Sequence, residues 1–288
     1  MTRPQDDAAT AHGERPEATA WPARVTVPAR RIADGETVAS LERLIEEVPV
    51  ALVYNGISHA VMLATPADLE DFALGFSLSE GILTTPAELY DCEPAFAAEG
   101  IELRLEIASA RLAALKARRR NLAGRTGCGL CGVESLQAAL RQPTPVASRA
   151  PLPVAAIHCA LAELAAGQPL HRATGAAHAA AWAGNDGRVL ALREDVGRHN
   201  ALDKLIGALA RERFDPAAGF LVVTSRASYE MVQKAAAAGI GLVAAISAPT
   251  ALATRLAEAA NLTLVGMARA GRLTAYSHPD RLRVLCES

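Results

Sequence analysis

Cys128 and Cys131 lie in "AGRTGCGLCGVESL" (residues 123–136), a CxxC pair set among glycines. Thiols at that spacing clip a metal, exchange with a disulfide or carry a group on sulfur. A structural zinc site needs four ligands, and the chain offers a single CxxC with no second pair. Cys159 follows His158 in "AAIHCALAEL", which reads as a packed helix. A zinc deaminase shows H-x-E and a later P-C-x-x-C. His12-Gly13-Glu14 matches the first half, but Gly127 precedes Cys128, so no metal is expected. A thioredoxin-like pair follows a strand and opens a helix. Here the basic, glycine-rich "KARRRNLAGRTGCGLCG" comes first, and "VESLQAAL" starts a helix behind it. That helix dipole, Arg125 and the Lys116–Arg120 run all favour thiolate. Redox exchange and sulfur carriage both stay open on these grounds.

A second group of polar residues follows short apolar runs. "RVLAL" leads into "REDVGRHN", with Arg193, Glu194, Asp195, Arg198 and His199. "FLVVT" leads into Ser225, Arg226 and Ser228; "GLVAAI" into Ser247 and Thr250; "LTLV" into "GMARAGR", with Arg269 and Arg272. In an open α/β sheet, ligands bind outside the carboxyl ends of the strands. Arginines, hydroxyls and helix N-termini gathered there suit an anionic, phosphate-bearing ligand. Taken singly, several have plain structural roles. Asn200 and Asp203 read as a cap and its first-turn carboxylate, and His199 and Asp203 stand at i and i+4.

The elements that must position these groups fall into two parts. "VPVALVYNGISHAVMLATP" is a hairpin turning at Asn55-Gly56. Thr65 then caps a helix with Pro66 at its first position, ending near Gly81. "IELRLEI" (residues 101–107) alternates as a strand. These make an α+β subdomain over residues 23–115, behind a disordered tail at 1–22. Residues 116–153 hold the basic CxxC loop, a helix and a Pro/Ser linker. From residue 154 to 288, apolar strands alternate with helices, the pattern of a helix-flanked mixed or parallel sheet. The fold class is α/β with an α+β N-terminal part.

With 288 residues, 51% of them hydrophobic, the chain can bury a sizeable core without metals or disulfides. A formal charge of −2 asks for neither a nucleic acid nor a membrane. The N-terminus has no apolar signal region and no window resembles a membrane span, so a cytoplasmic location is expected.

The motifs "TGCGLCG", "REDVGRHNALDKLIG", "SRASYEMVQKAAAAGI", "SAPTALA" and "LTLVGMARAGRLTAYSHPDR" resemble those of the formate dehydrogenase accessory sulfurtransferases, the FdhD family. "YNG", "TPADLEDFALGFSLSEGIL" and "TGAAHAAAW" do so too, and the resemblance runs from about residue 40 to 282. It implies a cytidine-deaminase-like larger domain, a homodimer and a sulfurtransferase activity. Sulfur would come as a persulfide from a cysteine desulfurase. The acceptor would be the bis(molybdopterin guanine dinucleotide) molybdenum cofactor (Mo-bis-MGD) that formate dehydrogenase, the client, requires. By that resemblance Cys128 carries the persulfide and Cys131 is its partner. Met267, Ala268, Arg269, Ala270, Gly271 and Arg272 match the cofactor-binding stretch. Met267 stands where phenylalanine is usual, Ala176 replaces a glycine and Ser77 a leucine. A thiol–disulfide oxidoreductase using the same thiolates, or a chaperone that only hands over the cofactor, are the other readings.

Overall fold

The computed structural model describes residues 20–122 and 144–284. Cys128, Cys131 and the helix expected behind them lie outside the described residues.

The chain opens with an antiparallel hairpin of β1 (Arg24–Ala33) and β2 (Glu36–Ile45). Asp34 and Gly35 turn it with φ of 52° and 82°, the left-handed pair a tight two-residue turn requires. A second hairpin joins β3 (Val48–Tyr54) and β4 (Ile57–Ala64) through Asn55 and Gly56, at φ 44° and 77°. After α1 (Leu69–Ser79) come β5 (Leu89–Ala97), β6 (Gly100–Ile107) and α2 (Ser109–Leu122). The four strands order as β4-β3-β6-β5, with β3 and β6 parallel. Alternation in β6 puts Ile101, Leu103, Leu105 and Ile107 inward, against Val50, Leu52 and Phe72. Trp21 also reaches this core and donates its indole N–H to the Ala97 carbonyl at 3.3 Å.

Residues 144–153 run back along the second part of the molecule. The Val146 amide donates to the Ala260 carbonyl (2.9 Å), and Arg149 donates to the Gly219 carbonyl (2.9 Å). The two-residue strands β7 (Leu152–Pro153) and β14 (Leu282–Arg283) pair in parallel. Then follow α3 (Val154–Ala166), α4 (Pro169–Thr174), β8 (His178–Gly184) and β9 (Val189–Asp195). Next come α5 (Arg198–Arg211), β10 (Gly219–Val223), α6 (Tyr229–Ala237) and β11 (Leu242–Ala245). The series ends with α7 (Ala251–Ala259), β12 (Thr263–Arg269) and β13 (Arg272–Ala275).

The larger sheet is mixed, ordered β13-β12-β11-β10-β8-β9, and parallel only across β10, β11 and β12. Every residue of β10 and β11 is buried, as strands covered on both faces must be. Leu205, Val232 and Ala257 fill one face; Ile157, Leu161 and Leu164 fill the other.

The two sheets are joined by α1 and α5, whose backbones touch. A Cβ on Gly75 would lie 1.7 Å from the Asp203 carbonyl oxygen, and one on Gly207 would lie 1.9 Å from that of Asp71. Only glycine admits such an approach. Buried charges reinforce the joint. Lys204 and Asp195 pair at 2.6 Å with both side chains fully buried, and Lys204 also donates to the Thr65 carbonyl. Lys234 holds Asp203 at 2.9 Å and Glu80 at 3.0 Å, and Ser79 donates to Asp203 at 2.6 Å.

Several local expectations change. Residues 116–122, read as the start of the basic loop, continue helix α2. Cys159, expected to be packed, is exposed. Asn200 is no cap, because Gly197 precedes α5 and Asn200 lies buried inside it. Thr65 caps no helix: α1 begins at Leu69, behind Asp68 in a left-handed conformation. The Thr65 amide donates instead to Asp195 and its hydroxyl accepts from the Val196 amide. The fully buried Asp195 needs donors more than a solvated helix start does. Asp203 also does not pair with His199; it is claimed by Lys234 from α6.

Candidate functional site: the carboxyl edge of the larger sheet

Because β8 runs against both β10 and β9, strand β9 points the same way as β10, β11 and β12. Their four carboxyl ends therefore share one edge, and contacts link them in a row. His199, in the first turn of α5, sets Nε2 2.8 Å from Glu230 and 3.5 Å from the Ser228 hydroxyl. Ala227 bridges to Pro249, and the Thr250 amide donates to the Ala227 carbonyl. The Met267 amide donates to the Ser247 carbonyl at 3.1 Å. A Cβ on Gly266 would sit 2.7 Å from the Pro249 ring, so glycine lets β12 close on that loop.

Three helices thus begin along this edge. Gly197 precedes α5 and donates its amide to Asp195 at 2.7 Å. Ser228 precedes α6 in extended conformation, with no side-chain cap of its own. Thr250 caps α7, accepting from the Ala253 amide. Unsatisfied N–H groups and the positive dipole end make such termini favourable for anions.

The cationic side chains divide. Arg193 is spent on Asp71, at 2.7 Å, and belongs to the joint between sheets. Glu194 accepts from the Leu170 and His171 amides, closing the start of α4. Asp195 is buried against Lys204. Asn200 donates to the Leu63 carbonyl and Asp195. Those residues build the edge and do not face a ligand. Arg226, Arg269 and Arg272 are exposed, and none is paired among the described residues. Arg198 is partly buried and its Nε has no partner among the described residues. Ser225 turns to the Arg226 carbonyl.

The stretch Met267–Arg272 forms the end of β12 and the turn into β13. The register slips between Gly266 and Arg269, and Met267, half-buried, takes φ of 52°. A left-handed backbone is costly for a side chain without a local hydrogen-bonding group, and such outliers gather at functional sites. Ala268 is buried, whereas Arg269, Ala270, Gly271 and Arg272 are exposed. Gly271 turns the hairpin at φ 75°.

His178, to which the sequence assigns no role, also belongs to this edge. It opens β8, opposite Asp195 in register, and reaches this edge because β8 is antiparallel to β9 and β10. Burial lowers its pKa, and Arg198 nearby lowers it further. The hydrogen bond from His199 holds the Glu230 carboxyl below the usual range.

The opposite edge of the sheet carries a different feature. There the C-terminal ends of α1, α5 and α6 border an open cavity of about 730 Å³ with a mixed lining that includes Leu78, Ile206, Glu80 and Gln233. Thr144, the first described residue after the cysteines, lines it beside Phe214 and Ala237. Among the described residues no helix is long and apolar enough to cross a membrane.

Similar proteins fit this architecture. A solved structure from Desulfotalea psychrophila, described provisionally as a formate dehydrogenase accessory protein, superposes with a TM-score of 0.71. It is 24% identical and matches 91% of this chain and all of that one, which shows a shared fold. The sulfur carrier protein FdhD of Cupriavidus necator is 59% identical over 262 residues, 91% of either chain. That of Bordetella petrii is 59% identical over 243 residues, 84% of this chain and 87% of its own. The FdhD/NarQ family model matches residues 45–283, so the chain belongs to the FdhD/NarQ family.

Proposed function

We propose that this protein is a cytoplasmic sulfurtransferase serving formate dehydrogenase, with Cys128 as carrier and the carboxyl edge of the larger sheet as seat of the acceptor. The observation that carries this reading is the 59% identity to sulfur carrier proteins FdhD, in a chain that keeps a CxxC. The geometry supports it. An acceptor rich in phosphates would find three helix starts on this ledge and arginines that are unpaired among the described residues, with Met267–Arg272 at its end.

The chemistry needs no outside oxidant. The Cys128 thiolate attacks the outer sulfur of the desulfurase's persulfide. A new S–S bond forms on Cys128, the donor's S–S bond breaks, and the donor leaves as a thiolate. In the second step the Cys131 thiolate attacks the inner sulfur of the loaded Cys128. A Cys128–Cys131 disulfide forms, and the outer sulfur leaves as hydrosulfide, reduced by two electrons; an acceptor that takes it up would release one of its own ligands in exchange. A cellular dithiol then reduces the disulfide. The acceptor is Mo-bis-MGD, and the protein works as a homodimer.

The test of the acceptor seat is copurification of molybdopterin guanine dinucleotide. Wild type should retain it, and Arg269→Glu/Arg272→Glu should lose it while keeping the wild-type melting temperature. Equal retention by both would remove the acceptor from this edge. Catalytic reduction of insulin disulfides by Cys128 and Cys131 would support the oxidoreductase reading instead.

A further inference from the structure

The β1–β2 arm stands apart as a sheet of its own, two strands wide. Ten residues per strand make a ribbon about 34 Å long. An isolated two-stranded hairpin is marginal in water unless something covers it. Alternation assigns its faces. Val25, Val27, Ala29 and Ser40 are half-buried on the inner face, and β2 lies against α4. Every residue of the outer face except Ile45 is exposed.

That outer face has one sign of charge and an apolar centre. Arg24, Arg30 and Arg43 lie on it, and no acidic residue does. Pro28 and Leu41 are register partners at its middle, and Ile32 lies toward the tip. Leu41 and Ile32 are each 73% exposed. Glu42 is on the inner face, paired with Arg31 at 2.8 Å. A protein of net charge −2 thus presents a wholly basic strip with large exposed aliphatic side chains. Such patches on soluble proteins mark interaction sites. Stacking two copies face to face would set arginines against arginines, so the strip does not complement itself.

Position narrows the partner. The arm rests on α4, whose His171 bonds the Ala177 carbonyl next to His178 on the candidate ledge. We propose that the outer face of the β1–β2 arm docks an acidic protein surface with an apolar recess, that of the dehydrogenase receiving the sulfurated acceptor. This rests on the functional reading above.

The experiment uses the full chain and the immobilised, cofactor-free catalytic subunit of formate dehydrogenase. Arg30→Glu/Arg43→Glu should weaken binding at least about tenfold and flatten its dependence on KCl concentration. Leu41→Ser should weaken it without changing that dependence. All three side chains are exposed, and both variants should keep wild-type stability and wild-type loading of sulfur on Cys128. Unchanged affinity in both variants would overturn the proposal. So would a wild-type dimer that Leu41→Ser splits with dehydrogenase affinity intact, which would give the strip to a second copy. Binding to phosphatidylglycerol vesicles that the arginine variant abolishes, again with dehydrogenase affinity intact, would give it to a membrane. Arm-dependent docking by a wild type that takes no sulfur would count against the sulfur-carrier reading alone.

Discussion

Replacing Lys234 with methionine removes the cation at the centre of the joint between the two sheets. Its Nζ lies 2.9 and 3.0 Å from the two Asp203 oxygens, 3.0 Å from Glu80 and 3.0 Å from the Ser79 hydroxyl. It also sits 5.2 Å above the Phe76 ring. The Asp203 side chain is 1% exposed, so without Lys234 a carboxylate stays in the interior with Ser79 as its remaining side-chain donor. Stranding one partner of a buried pair costs about 3–5 kcal/mol. At about 2–4 °C per kcal/mol for a chain of this size, melting should fall by about 6–20 °C. Urea unfolding followed by tryptophan fluorescence reads the free energy directly, and Trp182 lies in the core beside Phe214. Adding Asp203→Asn to Lys234→Met removes the stranded charge and should restore most of the loss. A single variant that loses less than about 1 kcal/mol, or a double variant no better than the single, would refute the claim that this pair holds the joint.

Other consequences follow from the same coordinates. Gly75→Ala and Gly207→Ala each force Cβ into the facing helix backbone and should cost at least about 3 kcal/mol. Gly56→Ala, with open space around it, should cost only about 1–2 kcal/mol, the strain of its positive φ; equal losses at all three sites would contradict the close crossing of α1 and α5. Burial alone would lower the Lys234 pKa, but Asp203 and Glu80 more than offset it and raise the value above 10.5. A raised folded-state value means stabilisation that is whole below 10.5 and lost as pH climbs through it. Wild type should therefore lose stability more steeply than Lys234→Met in alkaline titrations, and parallel curves would count against the pairing. Burial and the neighbouring Glu70 and Asp91 push the Cys92 thiol up to about 11. Peptide mapping after brief alkylation at pH 8 should find the exposed Cys159 modified well before Cys92.

Much of the fold is legible where local chemistry and burial agree. Asn55-Gly56 sets the second hairpin, and the alternation of residues 101–107 sets β6. The continuous apolar runs mark β10, β11 and β12, with Ser228 and Thr250 at the starts of their helices. Asp34-Gly35 carries the same turn signal as Asn55-Gly56. The strands it joins escape a periodicity reading because large apolar residues such as Leu41 and Ile32 lie on the exposed face. Thr65 misleads for a physical reason: its local capping signal is outweighed by Asp195, 130 residues away, which sequence spacing does not show. The same holds at the site. Arg269 and Arg272 stand at the strand end that their sequence position suggests. Arg193, Glu194 and Asp195 share that motif but are consumed by Asp71, the start of α4 and Lys204. His178 is hidden because it reaches the ledge from the beginning of an antiparallel strand.

The central claim is that Cys128 carries sulfur. Its most direct test is intact-protein mass spectrometry under non-reducing conditions, after incubation with an active cysteine desulfurase and cysteine. The account predicts a gain of one sulfur atom in wild type and in Cys131→Ala, and none in Cys128→Ala. No gain in any of the three, with the desulfurase turning over beside them, would contradict it.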